Sequence, residues 1–238
     1  MLLMSPSTER TTPSLETPFD ALQRAQHRTL HEHAYQQIRE ALMIGRFLPG
    51  QMMTIRGLAT ALQISPTPIR EALHRLSTEG ALRAGNNRRL MVPLLSLDEF
   101  RELRAIRLAL EGLATERAVP LITAEEIAAL RVSDAAIRAA RRAGDVAASI
   151  RHIHQFHHCI YAAARMPTLK HLIEGLWLRG GSYLHLLFPD YAVKEQGKIR
   201  ALTLAAIERG DAPGARASMQ ADLDQTANFL ISVLEKRA

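Results

Sequence analysis

Three ionisable side chains in the second half of the chain stand where helical periodicity directs them inward. His157 falls on an apolar row over residues 146–164, whose members are spaced by three and four residues and so share one helix face. Asp222 and Arg200 interrupt the apolar rows of two later segments in the same way. Buried charges are costly unless they are paired. The pattern therefore predicts a polar pocket in which these groups meet, and helical bundles bind ligands in such pockets.

More histidines surround the first of these positions, at His152, His154 and His158. His154 and His158 are one helical turn apart, which is a permissible spacing for two ligands of a metal ion. The segment lacks the HExxH order of zinc peptidases, and the single cysteine, Cys159, has no activating partner placed by the sequence. We therefore favour histidines on the surface beside the pocket, with a metal-dependent enzyme built on the His-rich bundle as the alternative.

Helices must position all of these groups. Beyond Ser96 the apolar spacing predicts six helices, and four prolines stand where the helical patterns break or restart. This part of the chain is therefore expected to be an all-α six-helix bundle. The predicted helices span residues 97–118, 124–142, 145–165, 168–188, 193–209 and 212–236.

The front of the chain has a different pattern. Apolar spacing predicts helices over 30–46 and 55–62, and a third helix that starts at Ser65, whose hydroxyl suits an N-cap ahead of a proline. Residues 81–84 and 90–92 flank Gly85-Asn86-Asn87, which is typical of a tight turn between two strands. Three helices and a small β-hairpin make a winged helix-turn-helix. The fold class is thus mainly α, with a flexible tail at 1–27, the winged module at 28–95 and the bundle at 96–238.

Composition limits the classes of function that the chain can have. With 47% hydrophobic and 23% charged residues it can bury a core, which excludes a wholly disordered or collagen-like protein. One cysteine excludes an intramolecular disulfide. Neither a signal peptide nor an apolar run long enough to span a bilayer is evident. We expect a cytoplasmic protein with no membrane partner.

Positive charge is concentrated in the front module. The whole chain has a formal net charge of +6. Residues 28–95 hold nine arginines against four glutamates, a balance of +5. Such a concentration is the footprint expected of a nucleic-acid-binding module.

An ordered series of motifs in this module resembles the DNA-binding domain of GntR-family bacterial transcription regulators. Arg70 and Thr67 share a face of the third helix, and an arginine there can donate two hydrogen bonds to a guanine or hold a phosphate. The resemblance implies that Arg56 also contacts double-stranded DNA. The motifs are Leu48-Pro49-Gly50-Gln51, Leu58-Ala59, the run from Ile64 to Leu73, Arg75-Leu76 and Glu79-Gly80-Ala81-Leu82.

Two further parts of the module bear on DNA recognition. The resemblance places Asn86, Asn87 and Arg88 at the tip of the wing, where related proteins reach the minor groove. Ser65 completes the set of expected DNA contacts. The family usually has an arginine directly after this residue, and here it is Pro66. The recognised sequence is therefore expected to differ from the common operator of the family.

The bundle resembles the ligand-sensing FCD domain of the FadR subfamily, and its length favours the VanR branch. The matching stretches are Arg107-Leu108-Ala109-Leu110-Glu111, Phe156-His157 with Ile160-Tyr161, and the run from Ala206 to Asp211. Many relatives bind a divalent metal at four positions, which here are Ile153, His157, Arg200 and Asp222. Ile153 cannot ligate a metal, and a guanidinium is always protonated. We therefore expect no metal and no cofactor.

The same substitutions suggest what replaces the metal. Arg200 facing Asp222 and His157 would form a charge-balanced cluster, or would serve as the fixed cation for the carboxylate of an effector. Arg179 and Tyr183, one turn apart on the fourth predicted helix of the bundle, are secondary candidates for the effector pocket. Arg107, in the first matching stretch, completes the candidate effector contacts.

Together these features predict a regulator of transcription rather than a catalyst. We expect a homodimer whose winged modules read operator half-sites and whose bundles dimerise and bind a small organic acid, most simply acting as a repressor. No catalytic residues are expected. Besides the metal-dependent enzyme, a non-specific DNA-packaging protein is a further alternative, which would bind duplexes without regard to sequence.

Overall fold

The computed structural model describes residues 18–85, 89–187 and 193–236. The front module contains three helices, α1 to α3, and a hairpin of two short strands, β1 and β2. The bundle contains helices α4 to α9 and one 3-10 helix. In chain order the elements are α1 Pro18–Met43, α2 Ile55–Leu62, α3 Pro66–Thr78, β1 Arg83–Ala84, β2 Leu90–Met91, α4 Leu97–Ala118, α5 Ala124–Arg142, α6 Val146–Ala163, α7 Pro167–Gly180, the 3-10 helix Gly181–Leu187, α8 Val193–Glu208 and α9 Ala212–Glu235.

The front module is a winged helix-turn-helix, as the sequence predicts. Strands β1 and β2 pair antiparallel, with Arg83 opposite Met91. Helix α3 packs on α1 and α2. Its inward face carries apolar side chains spaced by three and four residues, and all of them are buried. They are Ile69, Ala72, Leu73 and Leu76.

Helix α1 starts earlier than expected. The structure continues it back to Pro18, into the segment for which the sequence predicts a flexible tail. Proline suits the first position of a helix because its missing N–H would have no partner there. The residues that follow are mostly good helix formers such as alanine, leucine, glutamine and arginine. They lack an apolar stripe, which is why periodicity did not reveal them.

The bundle follows the predicted helices to within two residues at most boundaries. Ser96 and Thr123 begin α4 and α5 with reciprocal capping boxes to Glu99 and Glu126. Helix α4 packs chiefly against α9, α5 against α6, and α8 against α9. Within the described residues, no helix combines the length and the apolar composition needed to cross a bilayer.

One predicted helix is divided. The segment predicted as a single helix over 168–188 is α-helical only to Gly180 and then becomes the 3-10 helix. Gly181 lies against the end of α1, where an added Cβ atom would stand 2.8 Å from the carbonyl oxygen of Leu42. Only glycine allows this approach. The bundle therefore changes its helical geometry where it meets the front module.

Candidate nucleic-acid interface and ligand cavity

The groove between α2 and α3 brings together three of the predicted DNA contacts. Arg56, from the first turn of α2, lines this groove with Ser65 and Arg70. All three are exposed, and so is Thr67 on the first turn of α3. Within the described residues, neither the Arg56 nor the Arg70 guanidinium has a hydrogen-bond or ion-pair partner. Both are therefore available to an external anion or base edge.

The start of α3 offers fewer backbone donors than helix starts usually do. Ser65 occupies the N-cap position, but its side chain makes no capping hydrogen bond, contrary to the prediction from the sequence. An N-cap side chain accepts from the second or third helical N–H, and the third residue, Pro68, has none. Pro66 at the first position has none either. Side chains, including the hydroxyl of Ser65, therefore supply more of the contacts at this end of α3, beside the remaining backbone N–H of Thr67.

The opposite side of α3 is tied to α1. The Arg75 guanidinium carbon lies 3.6 Å from the ring centroid of Tyr35, and Arg75 Nη1 donates to Glu32 Oε2 at 3.0 Å. The Tyr35 hydroxyl donates to Glu79 Oε1 at 2.8 Å. These contacts fix the orientation of α3, so that its exposed face is presented as a rigid unit.

The wing is anchored to the bundle at its base. Arg83 on β1 donates to Glu99 Oε1 on α4 at 2.5 Å. This hydrogen bond, together with the N-cap backbone of Ser96, lowers the pKa of Glu99 to about 2. The predicted wing-tip contacts Asn86, Asn87 and Arg88 lie outside the described residues.

A narrow cavity inside the bundle brings together four of the predicted effector contacts. Arg107 from α4, His157 from α6, Arg200 from α8 and Asp222 from α9 all line it. His157, Arg200 and Asp222 are at least 94% buried. The remaining wall is apolar apart from one threonine and consists of Ile153, Trp177, Leu184, Leu187, Leu223 and Thr226.

A chain of hydrogen bonds crosses the bundle beside this cavity. Tyr161 donates its single hydrogen to Glu111, so its oxygen accepts from Nδ1 of His157 at 2.9 Å. Burial, with the Glu111 carboxylate, raises the pKa of Tyr161 well above its ordinary value. His157 Nε2 faces Asp222 Oδ2 at 3.4 Å.

Each cavity arginine has a carboxylate beside it that the sequence analysis did not single out. Arg107 Nε donates to Glu111 Oε1 at 2.5 Å, and Arg200 Nε donates to Asp134 Oδ1 at 3.4 Å. Burial lowers the pKa of Arg107, but the charge of Glu111 outweighs it and the pKa rises. For Arg200 burial prevails over the charge of Asp222, and the pKa is lowered. Glu111 could have been inferred, because it lies one turn after Arg107.

Three polar atoms of residues that line the cavity have no partner. Within the described residues, Nη2 of Arg200, Nε1 of Trp177 and Oδ1 of Asp222 make no hydrogen bond, although all three atoms are buried. Buried polar groups are almost always satisfied, because an unmade hydrogen bond costs about 1–3 kcal/mol. Two unused donors and one unused acceptor therefore belong to the same cavity.

Two of the predicted pocket residues lie elsewhere. Tyr183 is buried, but its hydroxyl accepts from the backbone N–H of Leu95 at 2.6 Å and donates to the carbonyl of Pro93 at 3.4 Å. Arg179 is half-buried and does not line the cavity. The expected pairing of these residues assumed one continuous helix, and the change to 3-10 geometry after Gly180 removes that register.

Two of the three histidines near His157 are not surface groups, contrary to expectation, whereas His152 makes an exposed hydrogen bond to Gln155. His154 and His158 stack with ring centroids 3.9 Å apart, and both rings pack edge-on against Trp177. Burial lowers the pKa of His154 to about 4 and that of His158 to about 2. Both rings are therefore neutral near pH 7.

The metal-binding positions of the FCD family do not suit a divalent ion here. Ile153 has no donor atom, and the Arg200 guanidinium would place a positive charge beside the ion. Within the described residues, no group of three or more histidine, cysteine, aspartate or glutamate side chains could hold a metal. His157 and Asp222 instead contact each other.

Comparisons with known proteins agree with this division of the chain. A family model described as "FCD domain" matches residues 102–225, and one described as "Bacterial regulatory proteins, gntR family" matches residues 30–92. The HTH-type transcriptional regulator McbR of Escherichia coli (strain K12) is 30% identical over 207 residues, which cover 86% of this chain and 94% of McbR.

Solved structures support the same conclusion. The structure of E. coli McbR/YncC aligns with a TM-score of 0.81 at 30% identity and covers 86% of this chain and 98% of that one. A putative transcriptional regulator GntR from Rhodococcus sp. RHA1 shares the fold, with a TM-score of 0.69 at 16% identity over 85% of this chain and 97% of its own. The chain therefore belongs to the gntR family of bacterial regulatory proteins, as a DNA-binding transcription regulator with an FCD domain and not an enzyme.

Proposed function

We propose that this regulator is a cytoplasmic homodimeric repressor whose operator binding responds to a small carboxylate held in the bundle. The observation that carries the proposal is the convergence of Arg107, His157, Arg200 and Asp222 on one cavity. The front module, residues 28–95, binds the operator, and residues 96–238 dimerise and bind the effector. No metal or other cofactor takes part.

Operator reading rests on the exposed face of α3. Arg70 reads a base edge or holds a phosphate, with Thr67 beside it and Arg56 and Ser65 on the backbone of the same half-site. Their exposure and the unpaired guanidinium groups support this assignment. Asn86, Asn87 and Arg88 complete the contacts in the minor groove.

The effector carboxylate is held by Arg200. The unused Nη2 of its guanidinium supports this assignment, since a guanidinium donates well to a carboxylate. Arg107, paired with Glu111, stacks on Trp177, with the guanidinium carbon 4.8 Å from the ring centroid. His157 and Asp222 form the facing wall.

The 3-10 helix links ligand binding to DNA binding. Its residues Leu184 and Leu187 line the cavity. Tyr183 of the same helix accepts a hydrogen bond from the backbone N–H of Leu95, in the segment that joins β2 to α4. One turn before Trp177, Glu174 accepts from Arg39 of α1 at 2.7 Å. Because the cavity is narrow, an effector displaces these walls, and it shifts the equilibrium between arrangements of the front modules by its differential affinity for them.

Selection of duplexes from random DNA by the purified full chain tests the DNA-binding half of the proposal. The selected sequences should share an inverted repeat, because a twofold dimer reads two half-sites. Light scattering should give the mass of two chains. In transcription with purified polymerase, adding the protein should lower the transcript only from a promoter that carries the selected repeat. A monomer without sequence preference at moderate ionic strength would refute the proposal.

A further inference from the structure

The unused polar atoms at the cavity indicate a narrower class of effector than carboxylates in general. Arg200 Nη2 is a donor without an acceptor, and Asp222 Oδ1 is an acceptor without a donor. Both side chains are nearly completely buried, at 2% and 6% exposure, and both line the same cavity. A simple carboxylic acid satisfies only the first atom and brings a second negative charge to Asp222.

From this pair we infer that the effector is the zwitterion of an apolar α-amino acid, an inference that rests on the proposed effector site. Its carboxylate accepts from Arg200, and its ammonium group donates to Oδ1 of Asp222. The two groups stand on adjacent carbon atoms, and the donor and the acceptor belong to residues that line one narrow cavity. The orphaned atoms of Arg200 and Asp222 are then satisfied by one ligand.

Charge balance favours the zwitterion over an anion. Arg107 is already neutralised by Glu111, and Arg200 is accompanied by Asp134, which also pairs with Arg138. With Asp222, the three carboxylates Glu111, Asp134 and Asp222 match the three arginines Arg107, Arg138 and Arg200. A ligand without net charge leaves this balance unchanged, whereas a buried anion adds an uncompensated charge, which is costly.

The rest of the cavity selects an apolar side chain. Ile153, Trp177, Leu184 and Leu187 surround the polar pair. A second, largely apolar cavity adjoins the first and shares Arg107, Leu184, Leu223 and Thr226 with it. Its other walls include Phe100, Leu103 and Leu230. An aliphatic or aromatic side chain that displaces these apolar walls is therefore favoured over a polar one.

Calorimetric titration of the full chain with matched ligand series tests the inference. Each of L-valine, L-leucine, L-isoleucine, L-methionine and L-phenylalanine is compared with the acid that lacks its amino group and with the corresponding 2-hydroxy acid. At least one amino acid should bind about tenfold or more tightly than its deaminated acid, because Asp222 Oδ1 is otherwise left unpaired. The hydroxy acid should lie between them, since it donates without a charge.

Substitution of the two orphaned side chains separates this inference from the proposed function. In Asp222→Asn the preference for the amino acid over its deaminated acid should fall, because the amide carries no charge, whereas Asp98→Asn, at an exposed position whose ion pair with Arg101 lies outside both cavities, should retain it. A change in the ratio of the two affinities cannot arise from misfolding, because misfolding would weaken the binding of both ligands equally. In Arg200→Gln every ligand of the series should bind more weakly.

The outcomes distinguish the amino-acid inference from the proposed function. If deaminated acids bind as tightly as the amino acids and Arg200→Gln abolishes their binding, the amino-acid inference is wrong and the carboxylate site stands. If no member of the series binds at millimolar concentration, the inference is also wrong. Selection of an operator that Arg70→Ala no longer binds would then still support the regulator.

Discussion

The two parts of the molecule use arginine in opposite ways. On the front module, Arg56 and Arg70 are exposed and have no ion-pair partner within the described residues. In the bundle, Arg107 and Arg200 are held beside Glu111 and Asp134. An exposed, unpaired guanidinium adapts to phosphates and bases along a groove. A buried, paired guanidinium is fixed in position, so it selects a ligand through the N–H groups that still have no acceptor.

The comparison predicts that removing a buried carboxylate has the largest effect on stability. Glu111→Ala deprives Arg107 of its partner and Tyr161 of its acceptor. Breaking a buried pair costs about 3–5 kcal/mol, because the remaining charge stays buried and unpaired. We expect urea denaturation to show this loss in the free energy of unfolding.

Glu102 provides the matched control, because it is an exposed glutamate on the same helix. Glu102→Ala should change the free energy of unfolding by no more than about 0.5 kcal/mol. If Glu111→Ala were as mild, the buried chain from Glu111 to Asp222 would contribute little to the fold.

For the exposed arginines, the expected loss is in DNA binding and not in stability. Arg70→Ala should weaken operator binding by about 1–3 kcal/mol, which corresponds to a factor of about 5–150. Fluorescence anisotropy with the selected operator measures the affinity, and denaturation should give an unchanged free energy of unfolding.

Arg142→Ala serves as the reference for this test, because Arg142 is exposed near the end of α5, in the bundle. It should leave the affinity unchanged apart from a small non-specific contribution of charge. Equal affinities of Arg70→Ala and the unsubstituted chain would show that α3 does not read the operator.

Much of the fold could be predicted from local signals. The starts of α4 and α5 were predicted from apolar spacing, and in the structure Ser96 and Thr123 close capping boxes there with Glu99 and Glu126. The change to 3-10 geometry after Gly180 could not be predicted in this way. It depends on the approach of Gly181 to the carbonyl of Leu42, and that contact is made only in the folded chain.

The cavity shows the same limit. Periodicity identified His157, Arg200 and Asp222 as inward-facing, and the structure brings them together. Periodicity did not indicate that Asp134 on α5 would meet Arg200, because neither segment shows by its own pattern which helix it packs against. Periodicity also failed for His154 and His158, since they lie beside the apolar row and are buried by Trp177 of another helix.

This histidine pair of the bundle predicts a pH dependence of stability. In the folded protein burial lowers the pKa of His154 to about 4 and that of His158 to about 2, while in the unfolded chain both titrate near about 6.5. Below that pH the unfolded chain binds more protons. The free energy of unfolding should therefore fall as the pH is lowered from about 7 to about 5, by up to about 1.4 kcal/mol per pH unit for each histidine.

His154→Phe keeps a ring against Trp177 and removes one titrating group. Urea denaturation at several pH values should show about half of the unsubstituted slope. His171→Phe, at an exposed position on α7, should keep the full slope. The neighbouring charges of Glu174, Lys170 and Arg39 remain in both variants. An unchanged slope in His154→Phe would mean that this ring is already solvated.

The smallest effect is expected where the two regions meet. Arg83 and Glu99 form the ion pair between the wing and α4, with side chains 45% and 32% exposed. Partly exposed pairs contribute about 0.2–1 kcal/mol. Arg83→Ala should lower the free energy of unfolding by that amount and weaken operator binding by no more than about fivefold, because the hairpin loses one anchor but keeps its own pairing.

Arg101→Ala makes the comparison specific, because Arg101 is a similarly exposed arginine of α4 that pairs with Asp98 and Glu235 and has no described contact with the wing. It should lower stability to a similar extent and leave operator affinity unchanged. A difference in affinity between the two variants measures what the wing gains from its attachment to the bundle. A loss of stability above about 2 kcal/mol in Arg83→Ala would show that this pair behaves like the buried pairs of the cavity, and the contrast between the two regions would then not hold at their boundary.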